Sequence, residues 1–206
     1  MTPTPAPTDR RSELLALAAS MFASRGLKAT TVRDIADAAG ILSGSLYHHF
    51  DSKESMVDEI LREFLDALFG RFDEIVAEDL PPRQRLEAFA MVSFEAIEQR
   101  HDAVAIYQNE ARTLADQPRF RYINDRLGQF RTIWTTVLKD GIADGSFHPD
   151  LDVELTYRFL RDTVWIGVRW FRPGGRRTVN EVADQYLSIV LDGISTRRRP
   201  ARRTVK

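Results

Sequence analysis

The chain contains no cysteine among its 206 residues. Without thiols it can form no disulfide and no thiolate zinc site, and it has no cysteine nucleophile. It also lacks any run of about 18 apolar residues. The first eight residues, MTPTPAPT, do not follow the basic and then apolar pattern of a secretion signal. We therefore expect a cytoplasmic protein with no membrane partner.

Sequence motifs of common enzyme classes are absent as well. There is no G-x-S-x-G segment, no phosphate-binding loop and no convergent metal-ligand spacing. We therefore expect neither an enzyme nor a protein with a metal or other cofactor. No segment convincingly alternates apolar and polar residues as a half-buried strand does, so we predict an all-α fold.

The net charge of −1 conceals an uneven distribution of charged side chains. Residues 1–53 carry six basic and five acidic side chains, whereas residues 54–196 carry 17 basic and 25 acidic ones. The last ten residues, 197–206, hold six basic side chains and no acidic one. An acidic body discourages DNA from binding anywhere but at the first segment. The basic end is either an extra phosphate contact or a solvated, disordered tail.

The most informative segment, residues 30–54, reads TTVRDIADAAGILSGSLYHHFDSKE. Apolar residues at helical spacing predict a helix in its first half. Gly40 follows and suits the left-handed conformation that ends a helix and reverses the chain. A second short helix, about residues 43–49, places Leu46 and Phe50 inward and polar side chains outward. Two helices joined by such a turn form a helix-turn-helix, which binds in the DNA major groove.

The candidate DNA contacts lie on and beside this second helix. Serine and glycine allow close approach of the backbone, hydroxyls bind phosphate, and planar polar rings reach base edges. A lysine at a helix N-terminus suits a phosphate. The predicted DNA-binding residues are Thr31, Ser43, Gly44, Ser45, Tyr47, His48, His49 and Lys53.

Several of these residues also have simpler interpretations. Tyr47 fits a half-buried core position, and Thr31 is a helix N-cap whether or not it reaches a phosphate. His48 and His49 would make a poor metal pair, because adjacent helical residues point about 100° apart.

Apolar periodicity and helix-breaking residues predict nine helices in all. The first covers residues 11–25, and the fourth begins near Lys53 and is broken by Pro81 and Pro82. Later helices are expected over about 83–100, 103–114, 118–145, 152–171 and 178–194, the last with a capping box of Thr178 and Glu181.

The helix expected over residues 152–171 has two apolar faces. One face carries Leu155, Phe159, Ile166 and Trp170. The other carries Leu160, Val164, Val168 and Phe171. A helix that is buried on both sides needs a second covering surface, and the partner subunit of a homodimer is an economical source of one.

Three arginines and a tryptophan form one stripe between these faces. Guanidinium groups bind carboxylate or phosphate oxygens, and an indole suits a ring system, so the expected ligand is an anion with an apolar part. The alternative is a structural network in which Asp162 and nearby acids neutralise the arginines. The predicted ligand residues of the stripe are Arg158, Arg161, Trp165 and Arg169. Secondary candidates, each of which also fits ordinary core or surface, are Tyr107, Gln108, Tyr122, Arg126, Phe130 and Trp134.

The chain resembles the TetR family of bacterial transcriptional repressors in four places. These are the TTVRDIA segment, the Gly40 turn, the LYHHF segment and the SKE start of the next helix. The resemblance implies a three-helix helix-turn-helix DNA-binding domain at residues 9–52 and a helical ligand-binding and dimerisation domain at 53–196. An arm over 1–8 and a basic tail over 197–206 complete this division.

In this family the positions of Thr31, Ser43, Tyr47, His48 and Lys53 typically contact DNA. The chain departs from the family pattern directly after Gly40, where Ile41-Leu42 replaces the commoner valine and small residue. We therefore expect the packing of the turn to differ slightly.

Four later strings, SFEAIE, IYQNEA, YRFLRDTVW and VRWFRPGG, resemble TetR-type repressors of cholesterol and steroid-ring catabolism in actinobacteria. This resemblance implies a homodimer that binds a palindromic operator and is released by the CoA thioester of a steroid-ring degradation intermediate. The alternatives are a TetR-type regulator that responds to another acyl-CoA or hydrophobic anion, and a DNA binder with no small ligand.

Overall fold

The computed structural model describes residues 10–194, so the predicted arm at 1–8 and the predicted tail at 197–206 lie outside the described residues. Within 10–194 the chain forms nine α-helices and no strand, which confirms the all-α prediction. Across the same residues, no helix combines the length and the apolar character that crossing a membrane requires. The helices are α1 (Arg10–Arg25), α2 (Val32–Ala38), α3 (Ser43–Tyr47), α4 (Lys53–Ala77), α5 (Pro82–Gln99), α6 (His101–Leu114), α7 (Tyr122–Ala143), α8 (Val153–Trp165) and α9 (Val179–Ile194).

Two helices of the body differ from the sequence-based expectation. A short 3-10 turn over Pro118–Phe120 precedes α7, so α7 begins at Tyr122. The expected α-helix to residue 171 is wrong at its end, because α8 stops at Trp165 and a 3-10 turn follows over Ile166–Arg169. Gly167 in this turn is a poor helix former, and it is buried close to α5. A Cβ at Gly167 would lie 3.4 Å from the Ile97 side chain.

The described chain divides into two compact units. Unit 1 contains the described residues up to Phe69 together with Arg100–Arg126. Unit 2 contains Gly70–Gln99 and the described residues from Leu127 onward. Helices α4 and α7 each contribute residues to both units. The predicted domains, a DNA-binding domain at residues 9–52 and a ligand-binding and dimerisation domain at 53–196, are defined by function and not by compactness. That domain division stays a prediction.

Unit 1 is built around α1, which packs against α2 and α6. Leu14, Ala18 and Phe22 recur at helical spacing on α1 and are at most 2% exposed. Helix α2 packs against both α1 and α3, and Ile35 of α2 and Leu46 of α3 are also almost fully buried. The apolar residues of the helix-turn-helix therefore form one small core with α1.

The turn between α2 and α3 depends on the left-handed backbone of Gly40, which has a φ of +67°. Such a conformation is strained for a residue with a Cβ, so glycine is the natural choice there. After it the chain reverses, and the Ile41 N–H donates to the Ala36 carbonyl at 3.0 Å. The prediction of a helix-ending turn at Gly40 is confirmed.

A capping box begins α2. The Thr31 hydroxyl accepts a hydrogen bond from the Asp34 N–H at 3.1 Å, and the Asp34 carboxylate accepts one from the Thr31 N–H at 2.8 Å. The Thr31 hydroxyl also donates to that carboxylate at 2.6 Å. These hydrogen bonds from Thr31 hold the pKa of the Asp34 carboxyl below its ordinary value of 3.8. They satisfy N–H groups that would otherwise lack partners at the start of the helix.

Unit 2 is built around α5, which packs against α8 and α9. The side chain of Asp152 caps α8 by accepting a hydrogen bond from the Leu155 N–H at 2.9 Å. The predicted capping box of α9 is confirmed, because the Thr178 N–H donates to the Glu181 carboxylate at 2.9 Å and the Glu181 N–H donates to the Thr178 hydroxyl at 3.2 Å.

Close packing at the end of α7 leaves no room for a side chain at Gly141. A Cβ on Gly141 would lie 2.1 Å from the ring of Phe147, which is 1% exposed. We expect Gly141→Ala to lower the free energy of unfolding by about 1–3 kcal/mol through overpacking, measured by urea denaturation. Gly128→Ala in the same helix is the matched control, because no atom lies within 4 Å of its Cβ position. It should raise stability by up to ~1 kcal/mol. Equal losses in the two variants would contradict this account of the packing.

The capping box of α2 predicts a pH-dependent contribution to stability. Because the pKa of Asp34 is lower in the folded protein than 3.8, its carboxylate stabilises the fold at pH values above 3.8. That contribution is lost as the pH falls through the lowered pKa. We expect Asp34→Asn to be less stable than the unmodified protein at neutral pH, and the difference to vanish in strong acid. Hydrogen exchange of the α2 amides, followed from neutral pH into strong acid, measures this difference in stability.

The matched control for this prediction is Thr31→Ser, which keeps both the hydroxyl and the carboxylate. Its pH dependence should follow that of the unmodified protein. A stability difference between Asp34→Asn and the unmodified protein that stays constant into strong acid would show that the capping carboxylate is not its source.

Candidate DNA-contact surface and effector site

The short helix α3 is held in place from one side only. Leu46 is 1% exposed and Phe50 is 5% exposed, and both pack inward. Tyr47, on the same helix, is 55% exposed, so the alternative of a half-buried core tyrosine does not apply. The tyrosine ring and hydroxyl are therefore available on the outer surface of the helix-turn-helix.

The other predicted contacts of this region surround Tyr47. His48 is the C-cap of α3 and His49 follows it, and both are exposed. Ser43 and Ser45 are half-buried, whereas Gly44 leaves open space where a Cβ would stand. The structure therefore brings five of the predicted contacts together beside Tyr47, and their binding to DNA stays a prediction.

The Thr31 hydroxyl is already engaged in the capping box described above. Its hydrogen points at the Asp34 carboxylate, 2.6 Å away, so a phosphate would have to displace that bond to receive it. Thr31 is exposed, and its N-cap role is established whether or not it meets DNA.

Lys53 has a structural role that the sequence did not indicate. Its ammonium donates hydrogen bonds to the Leu27 carbonyl at 2.8 Å and to the Thr30 carbonyl at 3.2 Å. A lysine ammonium has three N–H bonds, so one remains for the predicted phosphate contact. Lys53 therefore fixes the loop between α1 and α2.

The same loop is also held by α6. The Glu110 carboxylate accepts a hydrogen bond from the Leu27 N–H at 3.3 Å. Within the loop, the Thr30 hydroxyl donates to the Gly26 carbonyl at 2.9 Å, and Gly26 takes the positive φ of +87° that ends α1. Both polar groups of the Leu27 backbone are thus bound by charged side chains from other helices of unit 1. Nothing in the local sequence of the loop predicts these two partners.

Unit 2 contains a contiguous cluster of aromatic rings around Phe130. The ring of Phe130 lies 5.4 Å from that of Trp134 and 6.1 Å from that of Trp165, between ring centroids. One predicted ligand residue, Phe130, therefore contacts two others, Trp134 and Trp165. We call the group the aromatic cluster, and its members are Phe72, Phe89, Phe130, Trp134, Tyr157 and Trp165.

Trp134 carries an unsatisfied polar group inside this cluster. Its side chain is fully buried, and its indole Nε1 has no hydrogen-bond partner among residues 10–194. A buried donor without a partner costs about 1–3 kcal/mol. The folded chain therefore leaves this donor without the compensation that a hydrogen bond would give.

The three predicted arginines differ from one another. Arg161 donates to the neighbouring Asp162 carboxylate at 2.7 Å, and this hydrogen bond raises the pKa of the Arg161 guanidinium. Arg158 and Arg169 are exposed and make no ion pair with any residue in 10–194. The alternative of a neutralising network therefore describes Arg161 but neither of the other two arginines.

Arg161 lies beside the aromatic cluster. Its guanidinium carbon lies 5.5 Å from the centroid of the Tyr157 ring, and the Tyr157 ring lies 6.3 Å from that of Phe130. Burial raises the pKa of the Tyr157 hydroxyl, and the hydrogen bond from Arg161 opposes this change. Cationic and aromatic groups thus adjoin along α8.

Tyr107 and Gln108 belong to unit 1 rather than to the unit of the aromatic cluster. The Tyr107 ring packs edge-on against Phe64 at 5.9 Å between centroids. Gln108 is exposed on α6. Their assignment to an effector site stays a prediction.

Tyr122 and Arg126 also belong to unit 1. The Tyr122 hydroxyl donates to the Asp58 carbonyl at 3.4 Å, and burial, followed by the nearby Asp58 carboxylate, raises its pKa. Arg126 pairs with Asp66 at 2.5 Å and lies over the Phe69 ring at 4.7 Å. Both residues thus have structural partners, and their role as ligand residues stays a prediction.

Sequence reasoning missed a groove of about 390 Å³ between α8 and α9. Its apolar walls include Trp170, 56% exposed, and Ile189, 67% exposed. The signal was present in the sequence of α9, which is apolar on more than one side. The lining residues are Phe94, Thr163, Trp170, Arg177, Glu181, Val182, Gln185, Tyr186 and Ile189.

A second cavity of about 560 Å³ lies at the start of α5. The cavity is lined by three aspartates, Asp79, Asp140 and Asp144. The Arg85 guanidinium, which also lines it, donates hydrogen bonds to the Asp140 carboxylate at 3.0 Å and to the Leu80 carbonyl at 3.1 Å. Carboxylates repel an anionic ligand, so the larger cavity is the poorer candidate for the expected effector.

Comparisons with known proteins agree with this architecture. Residues 14–60 match the family described as bacterial regulatory proteins, tetR family, and residues 79–194 match the tetracyclin repressor-like C-terminal domain. The HTH-type transcriptional repressor KstR2 of Rhodococcus jostii is 62% identical over 201 residues, covering 95% of this chain and 98% of the relative.

Solved structures are similar over the same length. The structure of the ketosteroid transcriptional regulator KstR2 of Mycobacterium tuberculosis superposes with a TM-score of 0.90 at 62% identity, covering 92% of this chain and 97% of that one. AibR in complex with isovaleryl coenzyme A and operator DNA has a TM-score of 0.75 at 22% identity, covering 88% and 97%, which shows a shared fold alone.

The family resemblance that rested on residues 30–54 is thus confirmed over most of the chain. Relatives at this level of identity are named transcriptional repressors, so the chain is a DNA-binding regulator and not an enzyme. It belongs to the TetR family of bacterial transcriptional regulators.

Proposed function

We propose that this regulator represses genes for the breakdown of cholesterol and other steroid rings. As a homodimer on the chromosome in the cytoplasm, it binds a palindromic operator. The CoA thioester of a steroid-ring degradation intermediate releases it. The name of the similar ketosteroid regulator KstR2 and the arrangement of charged and aromatic groups along α8 support this proposal.

The observation that carries the effector proposal is the contact of the Arg161 guanidinium with the aromatic cluster. Arg161 adjoins Tyr157, and through Phe130 the contacts continue to Trp165. A CoA thioester has phosphates that suit guanidinium groups, and a fused-ring acyl group suits buried aromatic side chains. A protein of the same fold, AibR, was solved with isovaleryl coenzyme A, so this fold accommodates an acyl-CoA.

The homodimer proposal rests on apolar side chains that the single chain leaves exposed. Leu155, Phe159, Ile166 and Trp170 are 43–63% exposed on α8 and the turn after it, whereas the opposite face of α8 is buried. Ile189 of α9 adds a further exposed apolar side chain. Clustered apolar exposure of this kind marks an interface, and a second copy of α8 and α9 would complete a four-helix bundle.

Dimerisation sets the geometry of DNA binding. Each subunit would place α3 in one half-site, and the two recognition helices would lie about 34–36 Å apart to meet successive major grooves. A near-complete switch between two states requires that the effector binds one of them more tightly by about 5.5 kcal/mol. Contacts of several guanidiniums with phosphates in only one state are of the strength required.

Helix α4 is the proposed route between effector and DNA. Its Lys53 binds the loop between α1 and α2 in unit 1, and its Phe72 belongs to the aromatic cluster in unit 2. A ligand that displaces Phe72 would act on the same helix that positions this loop. The alternatives are a response to another acyl-CoA or hydrophobic anion, and DNA binding without a small ligand.

The dimer proposal predicts that a charge on the exposed apolar face separates the subunits. We expect Phe159→Glu to shift the protein from dimer to monomer in analytical ultracentrifugation, because a carboxylate would be buried without a partner. Operator affinity should fall about tenfold or more, since each monomer contacts a single half-site. Val76→Glu is the matched control, because Val76 is 51% exposed on α4 and belongs to no such face. A dimeric Phe159→Glu protein would refute the interface.

The effector proposal predicts a selective loss of response. In operator gel shifts, a steroid-ring acyl-CoA should release the unmodified protein, whereas free CoA and straight-chain acyl-CoAs should require about tenfold more or have no effect. Arg161→Ala and Trp165→Phe should retain operator affinity and need about tenfold more effector. Arg83→Ala is the control, because among residues 10–194 the one ion pair of Arg83 is an exposed pair with Glu87 in the same unit.

The outcomes of this experiment separate the alternatives. Release by a different acyl-CoA would replace the steroid assignment while preserving the site. If no acyl-CoA lowers operator affinity, and Arg161→Ala alters only thermal stability, the regulator works without this class of effector.

A further inference from the structure

Leu42 is the most exposed large apolar residue among residues 10–194, at 80%. It precedes the first residue of α3 and occupies the N-cap position with extended backbone angles. No side chain caps the helix there. Leucine is one of the least favourable residues at an N-cap, where serine, threonine, asparagine and aspartate supply an acceptor.

Folding does not account for a leucine at this position. The core of the helix-turn-helix is formed by other apolar residues, of which Ile35, Leu46 and Phe50 are at most 5% exposed. Leu42 adds little to that core, and it gives up the hydrogen bond that a polar cap would make. Its side chain is therefore better explained by a contact that forms outside the single chain.

The location of Leu42 indicates what it contacts. In a helix-turn-helix, residues at the N-terminal end of the second helix approach base edges in the major groove. Ser43 and Tyr47 of the same helix supply the polar groups of this surface. A leucine has neither donor nor acceptor, so the base feature that it can recognise in the major groove is the C5 methyl group of thymine.

We propose that Leu42 is a specificity-determining residue that packs against one thymine methyl group in each operator half-site. This proposal depends on operator binding by the TetR fold and is independent of the effector. Replacement of the usual small residue by leucine makes the contact a property of this sequence. Polar side chains of α3 would read neighbouring positions, while Leu42 discriminates thymine from cytosine by apolar contact.

Uracil scanning of the operator tests the proposal. The full-length protein first selects its operator from random duplexes, and each thymine of the half-site is then replaced by uracil, which lacks only the methyl group. The unmodified protein should lose affinity about fourfold at one thymine of a half-site, and about 15-fold when both half-sites are changed. Leu42→Ala should bind the thymine operator more weakly and be indifferent to uracil at that position.

A second variant separates recognition from folding. Leu42→Ser restores a favourable N-cap, so its thermal stability should equal or exceed that of the unmodified protein. It should nevertheless lose the dependence on the thymine methyl. Val76→Ala, which shortens another exposed apolar side chain, is the matched control and should keep the complete uracil profile.

Three outcomes would overturn the proposal. In the first, the unmodified protein is indifferent to uracil at every thymine of the half-site. In the second, Leu42→Ala keeps the uracil penalty of the unmodified protein. In the third, Leu42→Ala loses the uracil penalty only because fewer dimers bind each operator in native mass spectrometry, which would make Leu42 a contact between neighbouring protein molecules.

Discussion

The placement of a five-residue helix is the constraint on which DNA recognition depends. An isolated helix as short as α3 is unstable in water, so its position must come from tertiary contacts. Leu46 and Phe50 bury its inner side, and the left-handed Gly40 sets its direction relative to α2. The loop before α2 is in turn bound by Lys53. The polar side chains of α3 therefore depend for their position on a few apolar contacts and one glycine.

Helix α8 in unit 2, like α3, has one buried side and one exposed side. Its inner side completes the core of unit 2, with Leu160 and Val164 at most 3% exposed. Its outer side keeps Phe159 in solvent, where a second subunit can cover it. Trp165 and Arg161 join the aromatic interior to a charged surface. One helix thereby combines core packing with the proposed subunit interface and the proposed effector contacts.

For the DNA-contact surface of the protein, the sequence predicts the partners of polar residues less completely than the burial of apolar ones. Thr31 was identified as a helix cap, and the structure confirms this because the partner, Asp34, is only three residues away. The hydrogen bonds of Lys53 were not foreseen, since its partners Leu27 and Thr30 lie more than twenty residues earlier. The exposure of Leu42 was equally invisible, because an apolar residue after a turn is as readily expected to pack inward.

The sequence by itself determined the all-α class, the turn at Gly40 and the caps at Thr31 and Thr178, because each depends on residues within one or two helical turns. It also determined the two apolar faces of α8, since periodicity is a local property. Only the tertiary structure decided which rings meet Phe130, where α8 gives way to a 3-10 turn at Gly167, and which charged groups hold Leu27. Those features arise where distant segments pack, and a buried contact is chosen by the shape and charge of a partner that local spacing does not specify.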